Sequence, residues 1–331
     1  MRRHGQVLGI RPGLPDISRL GYGAAPLGNV YGDIDPAEGI ASVHRAIDRG
    51  ITFFDVSPYY GLTVAEDVLG RALAGRRHEV VICTKAGRYD RDVFDFSSKG
   101  IQGSAQESLK RLRSDYVDIL LAHDIEFGAP EQILGETIDA LERLKRAGTC
   151  RYIGVSAYPP GVLRRAMEAR TLDAIMSYCR YCLFNTDLQE LIPLAERRGT
   201  IIFNASPLGM GLLSDSGPPG WHPASATLCA ACERAAALCR ERGARLSDLA
   251  LQFALGLPGI RSTVIGMDTP ALVDQNVESS AMEPDPELLS RIRQILAPAS
   301  EEVWPSGRAE WEELPGEARE ISRTGGRDWN P

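Results

Sequence analysis

Short β-branched runs alternate with amphipathic helical stretches along most of this chain. The runs fall at Ile51–Phe54, Val80–Cys83, Val117–Leu121, Tyr152–Val155, Ala174–Met176, Ile201–Phe203 and Thr263–Ile265, with one more at Leu20–Ala25. Several are apolar almost without interruption, as strands buried on both faces are. The stretches between them carry helix start and stop chemistry. Asp35 and Pro36 offer an N-cap and a first-turn proline, Ile40, Val43 and Ile47 recur at helical spacing, and Gly50 closes the segment. Ser104 with Glu107 reads as a capping box ahead of Leu109 and Leu112. Gly148, Gly199 and Gly243 each end a helical stretch.

Eight strand–helix units with no linker between them predict an α/β fold of one domain, a (β/α)8 TIM barrel over residues 1–300 followed by a tail at 301–331. The competing doubly wound sheet would carry a Rossmann fingerprint, and Gly21-Tyr22-Gly23 has no third glycine in register. Three segments interrupt the alternation: residues 87–103, residues 206–223 and the stretch after Pro298. The first two follow strands, which puts them on the face where barrel active sites are built. The tail is expected to cover part of that face and to be disordered beyond Trp311.

Composition narrows the function classes. The 331 residues are 44% hydrophobic and 24% charged, with a net charge of −7 that argues against a nucleic-acid partner. Arg2 and Arg3 are not followed by a signal-peptide core, and no apolar run reaches membrane-spanning length, so a cytoplasmic protein with no membrane partner is expected. The sequence does not fix the oligomeric state, for which a monomer is the expectation. Seven cysteines include two pairs at metal-like spacing, Cys179 with Cys182 and Cys229 with Cys232. The pairs are far apart and no His-x3–5-His follows, so they are expected to be small buried thiols, with no metal.

Polar residues stand at three neighbouring strand ends. The second run leads to Asp55, within Asp55-Val56-Ser57-Pro58-Tyr59-Tyr60-Gly61; the third to Lys85; the fourth to His123 and Asp124. A barrel would converge Asp55, Lys85 and His123, with Tyr60 arriving from the turn. That group suits proton transfer at an alcohol or carbonyl oxygen. A free tyrosine has a pKa of ~10, and a neighbouring Lys85 ammonium would favour its phenolate. Asp55 would keep Lys85 charged, and His123 would orient the substrate oxygen. An ordinary Asp55–Lys85 ion pair with two rim residues is the plainer alternative.

Asp55, Tyr60, Lys85 and His123, in this order and at these strand ends, resemble the catalytic tetrad of the aldo-keto reductase family. The resemblance runs from about Leu20 to about Pro298. It implies a nicotinamide cofactor held by Gly23, Ala24, Ser156, Ser177, Ser206, Leu208, Gly209, Gly211, Gly266, Met267, Asp268, Gln275 and Asn276. Within the family the segments around Met210, Trp221 to Ala224, Ser177 to Cys179 and Trp304 to Gly307 resemble a branch of aldose 1-dehydrogenases. That implies a small-molecule sugar, L-galactose, L-fucose or a close relative, contacted by Tyr59, Asp124, Trp221, His222 and Trp304. Ala205 stands where an aromatic residue commonly stacks on the nicotinamide, and the glutamine that commonly binds the carboxamide is replaced near Met176.

The stretch Gly266-Met267-Asp268-Thr269-Pro270-Ala271-Leu272 contains no cation to hold a 2′-phosphate, so NAD is expected over NADP. Asp268 either faces the ribose or caps the next helix. Arg261, just before its strand, should point to the opposite end of the barrel. Two other functions fit the same family: an NADPH-dependent carbonyl reductase of broad specificity, and a non-catalytic subunit that senses nicotinamide for a membrane channel.

Overall fold

The computed structural model describes residues 16–300 and 302–311; the disorder expected after Trp311 concerns residues 312–331, outside the described residues. The strands are β1 (Leu20–Gly23), β2 (Phe53–Asp55), β3 (Val81–Ala86), β4 (Arg88–Asp90), β5 (Val93–Phe94), β6 (Val117–Ala122), β7 (Cys150–Ser156), β8 (Ala174–Tyr178), β9 (Ile201–Ala205) and β10 (Ile260–Gly266). Eight of them close a parallel barrel in the order β1-β2-β3-β6-β7-β8-β9-β10. Helices fill each connection, and a further helix, Pro286–Leu296, packs beside the helix Ala226–Glu241.

Local chemistry explains most boundaries. The Asp35 side chain accepts the Ala37 N–H, and Gly50 leaves the first helix at φ +85°, as a left-handed exit requires. Gly148, Gly199 and Gly243 also take positive φ after their helices. The expected capping box is corrected: the helix runs Ser98–Leu112, Ser97 accepts the Gly100 N–H, and Ser104 is buried within the helix. The interruption at residues 87–103 is therefore a β4–β5 hairpin leading into that helix rather than one long loop. Arg261 lies inside β10, at its N-terminal end, and pairs with Asp16.

Barrel strands alternate inward and outward side chains, and the register shows which face is which. Phe53, Val81, Cys83, Ile119, Leu121, Met176, Phe203 and Val264 form one buried cluster in the barrel interior, with Phe53 and Phe203 stacked at 4.4 Å between centroids. β1 passes this interior at Gly21, where a Cβ would sit 2.8 Å from Ser262 Oγ and 2.9 Å from the Phe53 ring. Only glycine fits there. Counting two residues on from the interior cluster gives Asp55 on β2, Lys85 on β3 and His123 after β6. The catalytic candidates are the next layer of the barrel filling, at its C-terminal rim.

Candidate active site

Lys85 occupies the centre of that layer. Its ammonium donates to both Asp55 oxygens at 2.8 Å, to the Val56 carbonyl at 3.0 Å and to the Tyr60 hydroxyl at 3.1 Å, and both charged side chains are buried. An ammonium has three donors, and these contacts occupy them all. Burial alone would lower the Lys85 pKa, but the Asp55 carboxylate outweighs it and holds the ammonium protonated. Tyr60 is placed by a tight turn. Gly61 has φ +61°, and a Cβ there would fall 2.0 Å from the Gly28 carbonyl oxygen, so the turn lies directly on the backbone after β1.

The expected lowering of the Tyr60 pKa is corrected. Burial raises the hydroxyl above its ordinary range, and Lys85 only partly offsets this, because the low-dielectric setting penalises the phenolate more than one ammonium favours it. The Tyr60 hydroxyl is therefore protonated at neutral pH.

His123 lies edge-on to Tyr60, with 6.0 Å between ring centroids. Its Nδ1 is 3.0 Å from Ser57 Oγ, and its Nε2 is 3.5 Å from Asp124 Oδ2. Burial pushes its pKa down to about 3, against the pull of the Asp124 carboxylate, so the ring is neutral. Asp124 itself accepts from Arg88 at 2.5 Å, and the Arg88 guanidinium lies 4.0 Å from the centre of the Tyr59 ring. Arg88 is a residue that sequence reasoning missed: nothing in its charge pattern announces a buried arginine in the β4–β5 hairpin.

The residues expected to hold the cofactor ring the opposite arc. Gly23 ends β1, where a Cβ would be 3.0 Å from the Ile265 carbonyl, and the Ala24 N–H donates to the Asp55 carbonyl at 2.8 Å. Ser206, Gly209 and Gly211 follow β9 with φ of 53°, 59° and 103°, and Leu208 packs between two core clusters. Gly266 ends β10, Met267 is buried behind it, and Asp268 is half-buried. The alternative of Asp268 as helix cap is corrected, since Thr269 accepts the Leu272 N–H and caps the helix Pro270–Ser280. Gln275 is half-buried on that helix; beside it Asn276 is buried, and its Nδ2 finds no partner among the described residues. An orphaned buried donor in the arc that would receive an adenosine fits a nicotinamide dinucleotide.

Two serines are already engaged: Ser156 Oγ accepts the Asp124 N–H at 3.1 Å, and Ser177 donates to the Tyr158 carbonyl at 3.0 Å. Strand parity brings Tyr178, rather than Ser177, to the inner face next after Met176. The aromatic candidates form a wall from distant segments. Trp304 stacks on Tyr158 at 4.8 Å and meets His222 edge-on at 5.4 Å, while Trp221 stacks on His222 at 6.2 Å. His222 spends both ring nitrogens on its own loop, Nε2 on the Gly209 carbonyl and Nδ1 on the Ala224 N–H, leaving only its ring for a ligand.

All seven cysteines are free, and among the described residues no group of three or more His, Cys, Asp or Glu side chains could hold a metal ion. No helix among the described residues is long and apolar enough to cross a membrane.

Residues 19–297 match the Aldo/keto reductase family. The chain belongs to that family. It is an oxidoreductase with the family's nicotinamide chemistry. L-galactose dehydrogenase of Arabidopsis thaliana is 42% identical over 301 residues, covering 88% of this chain and 94% of the relative. D-threo-aldose 1-dehydrogenase of a Pseudomonas species is 34% identical over 299 residues, covering 81% and 90%. Among solved structures, an aldo-keto reductase from Bacillus halodurans in its holo form superposes with a TM-score of 0.69 at 26% identity, covering 86% of this chain and 93% of that one.

Proposed function

We propose that this chain oxidises an aldose at C1 to the aldonolactone, with L-galactose, L-fucose or a close relative as substrate and NAD preferred over NADP. The observation that carries the proposal is the tetrad beside an indole-lined wall. Lys85 and Tyr60 meet at 3.1 Å where an anomeric hydroxyl can be deprotonated, and the half-buried Trp221 offers an apolar face suited to the C–H face of a pyranose, backed by Trp304, which is buried against Tyr158 and His222. The likeness to L-galactose dehydrogenase and D-threo-aldose 1-dehydrogenase supports it.

Gly23, Ala24, Ser206, Leu208, Gly209, Gly211, Gly266, Met267, Asp268, Gln275 and Asn276 would hold the cofactor. A bound nicotinamide supplies the hydride acceptor. The chain supplies the proton chemistry: Tyr60, as phenolate, takes the anomeric hydroxyl proton as the C1 hydride leaves, Lys85 stabilises that phenolate, and His123 orients the substrate oxygen. Tyr59, Asp124, Trp221, His222 and Trp304 are the substrate-side residues.

NAD preference rests on charge. The 266–272 stretch has no Lys or Arg, and the arginines that reach the following helix, Arg45 and Arg49, both close on Asp274. A charge-assisted phosphate clamp is roughly twice as strong as a neutral hydrogen bond, and here it is missing. Incubation with NAD and a panel of aldoses, followed by NADH absorbance, tests the proposal; turnover restricted to simple aldehydes would refute it. Burial, which keeps the Tyr60 hydroxyl protonated, also suits the alternative of a carbonyl reductase, in which that hydroxyl donates to the carbonyl oxygen.

A further inference from the structure

Ser57 Oγ is buried and has two partners: it accepts the Tyr59 N–H at 3.1 Å and lies 3.0 Å from His123 Nδ1. A hydroxyl has one proton to donate, and in this buried position the His123 nitrogen is the acceptor within reach. Donating to it satisfies every polar atom of the trio, while the reverse arrangement leaves the serine proton without an acceptor, which costs free energy in a dry site. The other side of the ring gives the same answer independently. Asp124 Oδ2 lies 3.5 Å from Nε2, and Arg88 keeps that carboxylate charged and in place. A lone pair on Nε2 would face an anion; an N–H there faces it favourably.

We propose that Ser57 is a positioning residue that fixes His123 as the neutral tautomer protonated on Nε2, with Asp124 as its electrostatic partner. The hydroxyl acts through the histidine and has no contact with substrate. At 3.5 Å the Asp124 contact is too long to capture the Nε2 proton, so the N–H stays free for a substrate oxygen. The opposite tautomer would present a lone pair to the anomeric oxygen and repel it. This inference concerns how the proposed sugar site is set up, but its test does not depend on which substrate is turned over.

The test is nitrogen NMR of the full-length protein with 15N-labelled histidine, the His123 signals being assigned by their loss in His123→Asn. In the wild-type protein the Nδ1 resonance should be that of an unprotonated, hydrogen-bonded nitrogen and Nε2 that of an N–H, unchanged from pH 6 to 8. Ser57→Ala should mix the tautomers and lower kcat by about tenfold, the scale of one lost buried hydrogen bond. Cofactor Kd should be unaffected, and Ser57→Thr should restore both signals and rate. A wild-type spectrum protonated on Nδ1 overturns the proposal even if Ser57→Ala fails to fold. So does a folded Ser57→Ala protein with unchanged His123 signals. A normal spectrum with no sugar oxidation would leave Ser57 in place and refute only the substrate reading.

Discussion

The two sides of the site are built differently. The catalytic side rests on the ends of β2, β3 and β6, neighbours in the barrel, and its polar contacts are short: Lys85 alone closes four between 2.8 and 3.1 Å. The aromatic wall is gathered from residues 158, 221, 222 and 304, held by ring contacts of 4.8 to 6.2 Å between centroids. Its last member is strapped down through Glu126, which accepts the Ser306 hydroxyl at 3.0 Å on its side chain and the Arg308 N–H at 2.8 Å on its carbonyl. On the proposed reading, chemistry is fixed by strand ends and substrate shape by loops and tail. Damage to the first should abolish turnover, and damage to the second should alter which substrate is turned over.

The largest expected effect is on the catalytic side. Tyr60→Phe removes the proposed proton-transfer group and should lower kcat by about 10²–10⁴-fold while cofactor binding survives. Tyr59→Phe, whose ring covers Arg88, should be far milder. Equal losses in the two variants would mean that the register of the turn is misassigned. The pH dependence has a definite sign. Because burial keeps Tyr60 protonated, its phenolate fraction grows with pH below its raised pKa, so kcat/KM for oxidation in the wild-type protein should climb from neutral to alkaline pH.

On the wall, Trp304→Ala should raise the KM for sugar by about tenfold and leave the Kd for the cofactor nearly unchanged, since the indole is a large buried anchor. Trp304→Phe should recover most of the loss. A Trp304→Ala enzyme with normal sugar kinetics would remove the wall from substrate recognition.

How these sides were legible in the sequence follows the same division. Asp55, Tyr60, Lys85 and His123 could be read because each lies at or just after a strand whose apolar run is visible, and a parallel barrel has one place for such ends to meet. All eight barrel strands were legible for that reason, while the β4–β5 hairpin was not, being two short strands in a polar stretch. Ser104 was predicted as the cap because residues 87–103 read as one interruption, whereas the helix begins at Ser98 inside that stretch. Arg88 and its bond to Asp124 could not be foreseen, since burial of a charge depends on partners far away in the chain. Tyr178 was available from parity alone: with Met176 inward, position 178 is inward and Ser177 is not. Trp221, His222 and Trp304 were named only through resemblance, because no local pattern joins residues 221 and 304.

The smallest expected effect concerns the strap. The Glu126 carboxyl is pushed up to about 8 by burial, with the Asp124 carboxylate adding to it. The folded chain therefore holds a proton there that the unfolded chain has lost above about 4.5. Between those values stability should fall as pH rises, because the unfolded state binds fewer protons than the folded one. Glu126→Gln should flatten that decline and raise Tm at pH 8 by about 1–2 °C, equivalent to about 1 kcal/mol. An unchanged pH profile of Tm in the variant would mean that Glu126 ionises freely in the folded protein.

The measurement closest to the central claim follows the hydride itself. L-galactose carrying deuterium at C1 is incubated with NAD and the enzyme, and both products are examined by NMR and mass spectrometry. The account predicts one deuterium in each NADH formed, one aldonolactone for each NADH, and a slower rate than with unlabelled sugar wherever hydride transfer limits turnover. NADH formed without deuterium would place the oxidation at another carbon, and no NADH at all with either L-galactose or L-fucose would contradict the account.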